Sequence, residues 1–185
     1  IERGVKLSGT RFYFLKNEGT LLELAVMRYA LDFLINRGFT PLTVPVLVRE
    51  HAMMGTGYFP GGEDQAYKMK DDDLYLVGTA EVSLASYHYD EILDKSHLPI
   101  KSVAWSNCFR REAGTYGKDT HGLYRIHQFM KVEQVIVMEE DDEKSLKMLD
   151  YLLNNATDFL QSLEIPYQVV AVCSNGIIAC VCART

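Results

Sequence analysis

Two charged segments of this 185-residue sequence could do chemistry. One is Cys108-Phe109-Arg110-Arg111-Glu112; the other, after a polar loop, is Tyr124-Arg125-Ile126-His127-Gln128-Phe129-Met130-Lys131-Val132-Glu133. Arginine carries a fixed charge and a planar fork of donors that fits phosphate or carboxylate oxygens. A carboxylate accepts hydrogen bonds from an ammonium or an exocyclic amine, and an aromatic ring can stack on a nucleobase. If the second segment is a regular strand, Arg125, His127, Phe129, Lys131 and Glu133 share one side of it, a face that is costly to bury without a ligand. From the residues alone, a solvated sheet face with cross-strand Arg–Glu pairs stays open as the alternative.

A strand, a loop and a returning strand would have to bring these side chains together. Residues 100–106 read as the first strand, 112–122 as a polar loop with three glycines, and 124–138 as a long strand buried at alternate positions. Upstream, Leu21, Leu24, Ala25, Tyr29, Leu31, Phe33 and Leu34 recur at three and four spacing. They predict a long amphipathic helix over 19–38, closed by Gly38. Residues 40–48 are β-branched and apolar, but Pro41 and Pro45 interrupt them. A Gly-rich loop over 55–65 leads to a hairpin, 66–69 with 74–77, around the acidic turn 70–73. Helical spacing returns over 81–93. The acid-rich turn 139–142 opens a last helix with an apolar face from Leu146 to Leu160, stopped by Pro166 and followed by a strand over 167–173. Long loops between strands of one sheet predict an α+β fold, an antiparallel sheet flanked by helices.

Length and a 48% hydrophobic content suit one substantial core, so a single domain over 1–185 is expected. A net charge of -6 argues against a broad basic surface for nucleic acid and leaves only local contact. No apolar run approaches the ~20 residues that span a bilayer, and the N-terminus has no leader-like basic and apolar regions. A cytoplasmic protein without a membrane partner is therefore expected. Cys108, Cys173, Cys180 and Cys182 form no Cys-x-x-Cys pair, so buried reduced thiols and no metal site are expected of them.

The pattern Phe-Arg-x-Glu, a loop, then Arg-x-x-x-Phe-x-x-x-Glu resembles motif 2 of the class II aminoacyl-tRNA synthetases. Phe109-Arg110-Arg111-Glu112-Ala113-Gly114 and the return from Arg125 to Glu133 narrow the resemblance to the seryl enzymes. Gly78-Thr79-Ala80-Glu81 resembles their serine-binding loop. The long helix, the strand after it and Pro45 resemble motif 1, which builds a dimer interface; in all, the resemblance runs from about Ser8 to Val172.

The resemblance implies a ligase that activates L-serine with ATP and Mg2+ and transfers it to tRNA(Ser), acting as a homodimer through the motif 1 helix and strand. It implies that Arg110 grips the α-phosphate and the substrate carboxylate, Glu112 meets the adenine amino group, and Phe129 stacks on adenine. Arg111, Arg125 and Ile126 would line the ATP site. Thr79, Ala80 and Glu81 would hold the serine amino group, and Glu133 would read the bound serine. Lys118, Asp119 and His121 could touch the tRNA acceptor end. His127 could line the site or be a hydrogen-bonded structural histidine.

The family's long N-terminal coiled-coil arm and most of its motif 3 region, with its metal-binding glutamate, have no counterpart in this sequence. Residues 173–185 read instead as an atypical tail, in which Arg184 is a candidate for the motif 3 arginine. Reduced activity of this chain is expected on that account. The rival reading is a paralogue with the same fold that binds nucleotide or a partner without charging tRNA. Ligases that charge carrier proteins through zinc would need a cysteine near Thr79–Glu81, and none is there.

Overall fold

The computed structural model of the chain describes residues 1–114, 122–171 and 179–183. Its contacts divide the chain into two compact units, one of residues 1–94 and 101–135, the other of residues 95–100 and 136–185.

The first unit opens with helix α1 (Glu2–Ser8) and the long helix α2 (Glu18–Ile35). After α2 the chain turns at Gly38, whose φ of 83° is open to glycine at no steric cost. The Gly38 and Phe39 N–H groups then close onto the carbonyls of Ile35 and Leu34. Only Leu34 on this helix is buried; Leu21 and Leu22 are each 66% exposed. The apolar stripe is thus covered only toward its C-terminal end, at Leu31, Phe33 and Leu34, while Leu21, Leu24, Ala25 and Tyr29 are exposed.

Pro45 divides the expected strand of 40–48. The first part, β1 (Thr40–Leu42), and the second, β2 (Leu47–Val48), enter different sheets. Between them the Pro45 carbonyl accepts from the Ser83 hydroxyl at 2.6 Å. A short helix, α3 (Glu50–Gly55), follows β2; its six residues are too few for a periodic pattern to reveal. The hairpin forms as expected: β3 (Tyr67–Lys68) pairs antiparallel with β4 (Tyr75–Leu76), and β4 pairs with β2. Beneath it lies a core of Val48, Ala52, Met53, Phe59, Ala66, Tyr75, Val77 and Val82, with Met53 and Val77 wholly buried. Full burial of side chains of that size contributes about 1.5–3 kcal/mol each.

Helix α4 (Glu81–Ala85) is much shorter than the 81–93 expected. Beyond it the chain runs through turns, with Asp90 at a φ of 61°, and the apolar residues that suggested a longer helix point to water: Ile92 is fully exposed. Strand β5 (Ile100–Phe109) extends further than expected, and β6 (Gln128–Val137) starts later. Burial along β6 is intermediate at nine of its ten positions rather than alternating. Among the described residues it is the outer strand of the order β1-β5-β6, with a paired neighbour on one side. The fold class is α+β, but this sheet is mixed: β1 runs parallel to β5, in the register Thr40↔Ser102 and Leu42↔Ala104. The long connection through α3, the hairpin and α4 is what makes a parallel neighbour possible.

In the second unit, α5 (Asp142–Ser162) begins where Asp141 caps it, its Oδ1 accepting from the Lys144 N–H at 2.9 Å. It ends before Pro166 is reached. Glu164 adopts a φ of 55°, and the N–H groups of Glu164 and Ile165 close onto Gln161 and Leu160, so a Schellman turn stops the helix. Strand β7 (Tyr167–Ala171) then pairs antiparallel with β8 (Ala179–Ala183), which lies inside the expected tail.

Candidate active site

The loop after β4 delivers Gly78, Thr79, Ala80 and Glu81 to the start of α4. Its position is fixed on both sides, because Val77 donates to Val46 and accepts from the Phe109 N–H, each at 2.9 Å. Gly78 lies against Tyr58: a Cβ there would fall 2.4 Å from the Tyr58 hydroxyl, so the tyrosine would have to shift. Thr79 is buried, and its hydroxyl donates to Glu133 Oε2 at 2.6 Å while accepting from the Glu81 N–H at 3.2 Å. Lys131 forms an ion pair with the same carboxylate. Ala80 is fully buried, whereas Glu81 is exposed.

Next to this loop lies an open cavity of about 570 Å³. Its lining includes Arg110, Glu112, Arg125, Ile126 and Phe129, drawn from both arms of the β5–β6 connection. The connection is closed at its base where the Arg110 N–H donates to the His127 carbonyl at 2.9 Å. Arg110 stands at the junction. Its Nε donates to the Gly78 carbonyl at 3.2 Å, and its guanidinium carbon lies 5.4 Å from the centre of the Phe129 ring. Glu112 adopts a φ of 51°, a conformation that costs a non-glycine residue of order 1–3 kcal/mol and that here accompanies a carboxylate facing the cavity. Arg125 Nη1 holds its Oε2 at 3.0 Å. The wall thus offers an arginine fork, an aromatic face and a carboxylate within one concave space, the equipment to bind a phosphorylated nucleoside.

Most of the residues singled out by the sequence come together in this one region. Arg111 departs from them: its backbone N–H donates to the Gln65 carbonyl at 2.9 Å, but its side chain is exposed and not among those lining the cavity. His127 serves the structure. Its Nδ1 donates to the Arg110 carbonyl at 2.9 Å, and its ring packs at 5.2 Å from Phe12 and 6.4 Å from Tyr67. Arg125 and Ile126 precede β6, yet both still reach the cavity. Lys118, Asp119, His121 and Arg184 fall outside the described residues.

Sequence reasoning missed Gln65, Tyr58 and the pairing of Lys131. Gln65 lines the cavity and donates to the Ala113 carbonyl at 3.0 Å, bracing the chain after Glu112. Tyr58 sits against Gly78, and burial pushes its phenol above the ordinary value, with Arg110 opposing and Glu112 and Cys108 adding to the rise. The signal for Tyr58 was its place in a glycine-punctuated loop, in which Gly62, like Gly78, lies against the Tyr58 ring where a Cβ would crowd it. Cys108 is a free, fully buried thiol, pushed up by burial although Lys131 and Arg110 pull the other way. Among the described residues no group of three His, Cys, Asp or Glu could hold a metal ion, and no helix is long and apolar enough to cross a membrane.

Comparison with known proteins places the chain in a family. Residues 67–181 match the tRNA synthetase class II core domain (G, H, P, S and T). A serine–tRNA ligase of Deinococcus radiodurans is 47% identical over 173 residues, which cover 94% of this chain and 41% of that protein. Among solved structures, the seryl-tRNA synthetase of Pyrococcus horikoshii complexed with ATP superposes with a TM-score of 0.87 at 49% identity, covering 93% of this chain and 38% of the other. The cytoplasmic serine–tRNA ligase of Naegleria fowleri in complex with AMP gives 0.86 at 38% identity, covering 91% and 40%. The chain thus spans about two-fifths of the length of these relatives. With more than half of its residues inside the family's core, the chain belongs to the class II tRNA synthetases.

Proposed function

We propose that this chain is the catalytic core of a seryl-tRNA synthetase, which joins L-serine to the α-phosphate of ATP and passes the seryl group to the terminal ribose of tRNA(Ser). The observation that carries this reading is the station of Arg110 between the Gly78 carbonyl and the Phe129 ring. A cation there can neutralise a carboxylate from the loop side and a phosphate from the cavity side at once. Holding both in contact removes the entropy of a bimolecular encounter, so attack of the serine carboxylate on phosphorus needs no protein nucleophile. Pyrophosphate leaves; the ribose hydroxyl of the tRNA then attacks the seryl carbonyl, the acyl–phosphate bond breaks, and AMP departs with the hydroxyl proton lost to solvent or to the phosphate.

In this reading adenine stacks on Phe129 and gives its amino hydrogen to Glu112, while Arg125 and Ile126 wall the nucleotide; Arg111, outside the cavity lining, would have to swing inward to serve the phosphates, and Arg184 stays a candidate from its place in the sequence. Thr79, Ala80 and Glu81 surround the amino group, with the exposed carboxylate of Glu81 as its counter-charge. Glu133 accepts from the serine hydroxyl. Alanine would leave that acceptor unpaired, which is the physical basis for rejecting it. The described residues do not fit a protein-held metal site, so magnesium would arrive on the ATP phosphates and no step here depends on it. The exposed leucines of α2 would be covered by a second copy in a homodimer, and Lys118, Asp119 and His121 would meet the acceptor end of tRNA(Ser). A cytoplasmic location would suit that task.

Pyrophosphate exchange into ATP tests the reading. Exchange should require serine, and alanine should substitute poorly. Exchange without any amino acid would remove the proposal, and ATP binding with no exchange in serine would leave the non-charging paralogue.

A further inference from the structure

We infer that Lys131 is a positioning residue for serine recognition: it anchors one oxygen of Glu133 so that the other is presented to the substrate hydroxyl. The inference rests on the seryl reading above and adds a residue to it. Lys131 and Glu133 are two apart on β6 and so share a face. The Lys131 ammonium approaches Glu133 Oε2, and the Thr79 hydroxyl donates to that same oxygen at 2.6 Å from a different element. Both contacts converge on one oxygen.

The terminal torsion of a glutamate is broad, so an unaided carboxylate would turn freely and offer either oxygen. Two donors arriving on Oε2 from β6 and from the Thr79 loop resist that rotation, because turning the group loses one of them. Thr79 is itself held, being buried and tied to the Glu81 N–H. Among the described residues both contacts fall on Oε2, which leaves Oε1 to accept from a ligand, and a substrate with a hydroxyl on its β-carbon is what an acceptor fixed in this way selects. Lys131 touches neither nucleotide nor the reacting atoms in this account; it acts through Glu133.

A rival physical outcome exists and is distinguishable. If the ammonium competes with the substrate for Glu133, its removal should tighten serine binding. The test is equilibrium dialysis of labelled serine and labelled alanine against the whole chain saturated with a non-hydrolysable ATP analogue. Wild type is compared with Lys131→Met, Lys131→Gln and Lys131→Arg, each first checked for a cooperative melt. Both Met and Gln should weaken serine by roughly tenfold, a charge-assisted contact discounted for its partial exposure, while alanine binding stays where it was. Arg, which keeps the charge and the donors, should restore most of the serine affinity.

Serine binding equal to or tighter than wild type in both neutral variants would overturn the inference. So would an equal loss for serine and alanine, which marks a merely structural role. If the wild-type chain itself fails to prefer serine over alanine, the seryl reading falls and takes this inference with it.

Discussion

Replacing Thr79 by valine isolates the polar work of one buried hydroxyl, because valine keeps the branched shape and loses only the oxygen's two hydrogen bonds. The first, to Glu133 Oε2 at 2.6 Å, is to a charged acceptor, and such bonds contribute about 1.5–3 kcal/mol. The second satisfies the Glu81 N–H at the start of α4, and leaving that donor without a partner costs about 1 kcal/mol where water can partly reach it. Glu133 is not fully exposed and keeps Lys131, so part of the first loss is recovered. A net destabilisation of about 2 kcal/mol is expected, which lowers the melting temperature by roughly 4–8 °C in a chain of this size. Serine affinity should fall by at least tenfold as Glu133 loses its second anchor. Urea unfolding and serine dialysis of Thr79→Val, Glu133→Gln and the double variant complete a cycle, and the coupling between the two sites should be at least about 1 kcal/mol. A cycle that closes with no coupling would refute the claim that these two side chains form one recognition unit.

Gly78→Ala should weaken serine and ATP binding together by displacing Tyr58, and Tyr58→Phe on that background should recover part of the loss by removing the hydroxyl nearest the new methyl; paired dialysis and nucleotide titration would follow both. Phe129→Ala should cost ATP about 1–3 kcal/mol of stacking and leave serine binding in the absence of nucleotide nearly intact, as isothermal titration can measure. In the second unit, Lys144 and Lys95 hold Glu139 at about 2, far below the ordinary carboxylate value of 4.5. Because the folded value is depressed, the stability from this clamp is present above pH ~4.5 and disappears as pH falls through ~2. Glu139→Gln should therefore melt lower than wild type at pH 6 in low salt, with the difference closing by pH 2 and in high salt, since the clamp is at the surface.

The grouping of the candidate residues was legible because their spacing on two strands and a connecting loop brings them to one place: Arg110, Glu112, Arg125 and Phe129 line one cavity. The hairpin at 67–76 was equally plain, since its acidic turn separates two short apolar runs. Other elements were not. The 81–93 segment has apolar residues at helical intervals, yet Tyr87, Tyr89 and Ile92 face water, and periodicity alone cannot say which side of a pattern is covered. The parallel entry of β1 beside β5 depends on a connection of more than fifty residues, which no local signal encodes. Likewise the convergence of Thr79 and Lys131 on one oxygen of Glu133 joins positions 54 apart, so only the folded chain displays it. For α2 the sequence gives an apolar stripe without saying whether it meets this chain's own core or another surface.

The measurement that bears most directly on the account is serine-dependent pyrophosphate exchange by the wild-type chain beside Arg110→Lys and Arg110→Ala. The guanidinium fork joins the loop carbonyl of Gly78 to the ring of Phe129, and lysine keeps the charge without that fork. Wild type should exchange only with serine, Arg110→Lys should retain a small fraction of that rate, and Arg110→Ala should retain none. Exchange at the wild-type rate in Arg110→Ala would contradict the placement of carboxylate and α-phosphate on this one residue.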